Sequence, residues 1–171
     1  MRLNLILRTA ICLEVGLVIT FSQVHNVTLG LQSLTSFGVG YAMITIFVAL
    51  LQRKKLASYQ NLPITGLALV VGLIAAQAPT TGGMIWFRLL VAGWGVLSGC
   101  YEIWLASKAS FRSMRGKEQL LTGLLGLILG ALYLLVPLSE IDAVGFFGAY
   151  LIISAVHLGI AAASERPTKT E

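Results

Sequence analysis

Apolar runs separated by short polar breaks make up nearly the whole chain, and most of the runs have the length of membrane-crossing helices, not of strands. The first extends from about Leu3 to Val24. After the linker HNVTLGLQ, the second covers Leu34 to Leu51 and stops at Gln52, Arg53, Lys54 and Lys55. A shorter third, Leu62 to Ala76, starts with Pro63, whose missing N–H costs nothing in the first turn of a helix. Ala78, Pro79, Thr80, Thr81, Gly82 and Gly83 then read as a turn. The fourth run, Met84 to Ser107, carries small residues at Gly93, Gly95, Ser98 and Gly99. The fifth is predicted over Gln119 to Val136, closed by Pro137, and the sixth over Ala143 to Ala163. The pattern predicts an all-α polytopic membrane protein, with six transmembrane helices in one domain (1–164) and a polar tail (165–171).

The breaks differ in charge. Arg2, the cluster Arg53, Lys54 and Lys55, the group Lys108, Arg112, Arg115 and Lys117, and Arg166 and Lys169 all fall on one side of a six-span layout. The three opposite connections contain no Lys or Arg. The positive-inside rule then places both termini in the cytoplasm. Arg2 and Arg8 before an apolar run have the look of a signal peptide, but Glu14 interrupts that run and no clear cleavage pattern follows, so the segment reads as a retained first span. Asn26, Val27 and Thr28 match a glycosylation acceptor pattern, but the loop is so short and close to the membrane that modification is not expected.

The spans also echo one another. Aligning the fourth on the sixth places Trp94 on Tyr150, Leu97 on Ile153, Ser98 on Ser154, Gly99 on Ala155 and Ala106 on Ala162. The same frame puts Tyr41 and Thr45 of the second span on Trp94 and Ser98. Thr65 and Gly66 match Thr122 and Gly123, and Pro79 and Pro137 close the third and fifth spans. Three tandem helical hairpins are predicted, all entering from the same side and so parallel rather than inverted repeats.

The run Leu97, Ser98, Gly99, Cys100, Tyr101, Glu102, Ile103, with TGLLGLILGALYLLVP from Thr122 to Pro137 and GAYLIISAVHLGIAAAS from Gly148 to Ser164, resembles the HdeD-type acid-resistance membrane proteins. The resemblance covers about Leu62 to Ser164. It implies a small six-span protein of the bacterial inner membrane with a role in acid or envelope stress tolerance. It supplies no catalytic residues.

Composition changes the picture only by exclusion. With 57% hydrophobic and 11% charged residues and a mean hydropathy of +0.86, the chain has no room for a soluble domain. A net charge of +5 would suit nucleic acid, but the basic residues flank the spans and read as contacts to anionic lipid at the cytoplasmic face. Cys12 and Cys100 lie in apolar segments with no ligand-like spacing and are expected as packing residues. No cofactor, metal or catalytic motif is expected.

Four polar residues inside the spans are candidates for chemistry. Glu14 lies near the middle of the first span, where a charged carboxylate costs about 2.5–3.5 kcal/mol, and it is expected to face the bundle. It reads either as a proton-responsive group or as a neutral acid hydrogen-bonded to a neighbouring helix. Arg8, Glu102 and His157 fall at a similar depth, some 6–9 Å from the membrane centre on the basic side, so an Arg8–Glu102 ion pair with His157 nearby is one expectation. The competing one has Arg8 and Glu102 snorkel separately to the surface, Glu102 toward Lys108 or Arg112. His157 is either a pH switch or a hydrogen-bonded packing residue. Arg88, near the opposite face, is expected to snorkel or to pair with Glu140 or Asp142. Gly95 with Gly99, and Gly126 with Gly130, are helix-packing candidates, within one chain or across a homo-oligomer. Trp86, Tyr101 and Trp104 fit aromatic belts. These readings favour a non-enzymatic stress-tolerance protein, with an accessory subunit of a larger membrane complex and a minimal proton-linked transporter or channel centred on Glu14 as alternatives.

Overall fold

The computed structural model describes residues 2–51, 60–79 and 82–164. They form α1 (Arg2–Phe21), α2 (Val27–Leu51), α3 (Leu62–Gln77), α4 (Gly83–Ala109), α5 (Met114–Leu135) and α6 (Glu140–Ser164). Five of these are long and apolar enough to cross a membrane. The exception, α3, has 16 residues. That is about 24 Å at 1.5 Å per residue, short of a hydrocarbon core of about 30 Å. The protein is an all-α, multi-pass membrane protein. The cluster Arg53, Lys54 and Lys55, the turn residues Thr80 and Thr81, and the tail with Arg166 and Lys169 lie outside the described residues.

Three helices start earlier than the hydropathy pattern predicts, and the same chemistry accounts for each. Asn26 Oδ1 accepts from Leu29 N at 2.9 Å, so most of the expected linker is the opening of α2. Ser113 Oγ accepts from Gly116 N at 2.9 Å, which makes Arg115 and Lys117 helical. Ser139 Oγ accepts from Asp142 N at 3.2 Å and donates to Asp142 Oδ2 at 2.6 Å, so Glu140, Ile141 and Asp142, ahead of the expected sixth span, form the first turn of α6. Polar side chains that look like loop are caps satisfying the free N–H groups of a helix start. Two ends follow from proline. Ala78 and Val136, ahead of Pro79 and Pro137, are extended, because the proline ring disfavours helical geometry at the residue before it.

Successive helices run up and down and close into a ring. α4 packs most extensively on α5, α1 on α6, and α2 on α3, while α2, α4 and α6 also touch one another across the middle. The three expected hairpins are thus joined by helix pairs that straddle them. The repeat frame is visible in this centre. Tyr41 and Trp94 pack edge-on with ring centroids 5.7 Å apart, and Trp94 Nε1 donates to the Tyr150 hydroxyl at 3.4 Å. One turn later Thr45 and Ser98 each return a hydroxyl to the carbonyl of the aligned aromatic residue, Tyr41 at 2.8 Å and Trp94 at 2.5 Å. Phe37, Phe87 and Phe147 extend the aromatic core toward the end opposite the termini. Large apolar side chains on the outside, among them the aligned Leu97 and Ile153, form the lipid-facing surface.

Candidate functional site

The site is built on the inward faces of α1 and α4. Arg8 lies one turn before the buried Cys12, and Glu102 one turn after the buried Ser98, so packing that faces Cys12 and Ser98 inward carries both charges in with them. Arg8 Nη2 reaches Glu102 Oε1 at 3.4 Å, with the two side chains only 12% and 6% exposed. The guanidinium also sits over the Tyr41 ring, 5.0 Å from its centroid. Among the described residues, none accepts from Arg8 Nε. One carboxylate oxygen just beyond the usual hydrogen-bond length and one aromatic face lie against this charge, and Glu118 is also within electrostatic reach of it. Arg115 is within electrostatic reach of Glu102 and donates to Gln60 Oε1 at 2.7 Å, while the Tyr101 hydroxyl donates to Gln60 O at 2.6 Å.

Of the expected trio, Arg8 and Glu102 are thus brought together and neither snorkels. The His157 Nε2 lies 3.3 Å from the Glu118 carbonyl oxygen, a link between α6 and α5. Tyr41 was legible as a repeat position, but nothing in its spacing marks it as the ring under Arg8.

The expectation for Glu14 fails, and of the two for Arg88 the acid pair fails. Glu14 does not face the bundle: it is exposed on the outer surface of α1 and forms no hydrogen bond or ion pair with the described residues. Val15 and Cys12, on the other side of the same turns, take the inward places. A proton path centred on Glu14 inside one bundle loses its geometric basis. Arg88 pairs with neither Glu140 nor Asp142. Its Nη2 donates to the Tyr133 carbonyl at 3.1 Å and to the Val136 carbonyl at 2.9 Å, which also accepts from Leu138 N at 3.0 Å, so the guanidinium caps the end of α5. Asp142 is engaged by Ser139, and Glu140 is exposed. Cys100 is also exposed, on the lipid-facing side of α4.

The glycines form a contact within the chain. A Cβ on Gly95 would stand 2.6 Å from Gly126 O and 2.7 Å from Gly130 N, and one on Gly99 would stand 2.7 Å from Gly123 O. α4 and α5 meet backbone to backbone along this line, which only glycine allows. Gly38 and Gly72 make a similar approach between α2 and α3.

No protein-family model, curated protein or solved structure matches the chain.

Proposed function

We propose that this multi-pass protein is a non-catalytic, HdeD-like component of the bacterial inner membrane, with both termini in the cytoplasm, and that it serves acid or envelope stress tolerance. The observation that carries the reading is the buried Arg8–Glu102 pair. A proton taken up by Glu102 removes the nearest counter-charge of the Arg8 guanidinium, which stays buried against Tyr41. An uncompensated buried charge strongly disfavours the packing around it, so proton uptake and the arrangement of α1 against α4 are linked. The basic group Lys108, Arg112, Arg115 and Lys117 at the same end as the pair supports a cytoplasmic placement of that end.

The test is survival of a deletion strain after acid challenge, complemented with the wild type or with Glu102→Gln at matched membrane levels. Wild type restores survival and Glu102→Gln does not. Equal survival of the deletion strain and the wild type refutes the stress role, and full rescue by Glu102→Gln refutes the role of the pair.

A further inference from the structure

Glu14 presents a carboxyl group to the outside of the bundle near the middle of a membrane helix. Lipid tails offer it no hydrogen-bond donor, so a lipid-facing acid at this depth is costly and marks a surface that something polar covers. Its position on the seam between α1 and α2 identifies what that is.

A Cβ on Gly40 would stand 2.6 Å from Ile11 Cδ1, so Ile11 and Gly40 lie level where α1 and α2 touch. Glu14 is three residues further along α1, about 4.5 Å deeper and about 60° around the helix from Ile11. Ser36 is one turn back from Gly40 on the antiparallel α2, at nearly the same depth and about 40° around. Both are exposed. The carboxyl and the hydroxyl therefore flank the same seam on its outer side, with exposed Gln32 one turn beyond Ser36 and the exposed apolar residues Leu17 and Met43 around them.

Copies of one chain insert with the same topology and present the same residues at the same depth. A two-fold axis along the membrane normal beside this seam returns Ser36 of one copy level with Glu14 of the other, and the reverse, in a self-complementary contact. We propose that the outer face of the α1–α2 seam is a homodimer interface in which Glu14 of each copy hydrogen-bonds Ser36 of the second copy. Both carboxyl groups are satisfied at once, by donors that lie at the required depth, and the surrounding apolar side chains exchange lipid contact for protein contact.

The experiment is disulfide trapping in native membranes between two co-expressed, differently tagged copies, one with Ala10→Cys on the exposed face of α1 and the other with Met43→Cys on the exposed face of α2, both with Cys100→Ala as background, followed by native mass spectrometry after gentle detergent extraction. Copper-catalysed oxidation yields cross-linked dimers, and extraction yields a dimer. Adding Glu14→Leu lowers cross-linking by about tenfold, the loss expected for two interhelical hydrogen bonds, and gives a monomer, while Glu14→Gln keeps most of the dimer. Ser36→Ala acts like Glu14→Leu. An unchanged unfolding midpoint of the Glu14→Leu monomer separates loss of the interface from loss of the fold. The proposal is overturned by copies with Glu14 and Ser36 intact that do not cross-link between positions 10 and 43, by a dimer indifferent to Glu14→Leu, or by a fixed-ratio complex in which a different protein covers the seam.

Discussion

Arg8 Nη2 stands 3.4 Å from Glu102 Oε1, joining the beginning of α1 to the end of α4 across 94 residues of sequence. Each partner is the nearest opposite charge of the other inside the bundle. Arg8→Met or Glu102→Met alone leaves a buried charge and is expected to cost about 3–5 kcal/mol. The double variant replaces the pair with apolar side chains of similar reach and loses much less than the sum. Unfolding in mixed micelles, arranged as a double-mutant cycle, measures the coupling; strictly additive losses contradict the contact.

The glycine line between α4 and α5 predicts opposite signs for two neighbouring substitutions. Gly95→Ala pushes a methyl group into the backbone of α5 and is expected to destabilise by roughly 1–3 kcal/mol. Gly93, two residues earlier, has open space where a Cβ would sit, and Gly93→Ala is expected to gain up to about 1 kcal/mol of helix propensity. Thermal unfolding midpoints of the two variants check this, and a matching sign for both would contradict the close approach.

Arg88 holds the end of α5 through two carbonyls, so Arg88→Met is expected to destabilise by about 1.5–3 kcal/mol, as charged hydrogen bonds do. Glu140→Gln is expected to stay within about 0.5 kcal/mol. Were Arg88 paired with Glu140 instead, both variants would lose stability together.

The Tyr133 hydroxyl donates to the Ala143 carbonyl, tying α5 to the first turn of α6. Tyr133→Phe removes that donor with little change in shape and is expected to cost about 1 kcal/mol. Hydrogen exchange of the first turn of α6 reads the same loss locally, and unchanged protection there would mean the bond contributes nothing.

Membrane character, the number of helices, the proline-closed ends of α3 and α5, and the alignment of Tyr41, Trp94 and Tyr150 were all legible in the chain. Each is written locally: apolar length sets a span, proline sets an end, and a repeated pattern of aromatic and small residues marks equivalent turns. The helix starts at Asn26, Ser113 and Ser139 were legible in principle from their capping residues, but the polarity of those residues reads as loop when hydropathy is followed alone.

The rotational setting of the helices was decided only by tertiary packing. Helices that are apolar nearly all the way round do not record which side faces lipid and which faces protein. Glu14 was expected inward and lies outward because Cys12 and Val15 pack against the core in its place. Arg88 was expected to snorkel outward or to pair with an acid, and carbonyls take the place of the acid because the end of α5 lies beside it. Arg8 and Glu102 had only similar depth in common until the ring of helices closed α1 onto the same centre as α4. Depth in the membrane follows from counting residues along one helix, but contact between helices depends on how all six turn to bury their glycines and aromatic rings together.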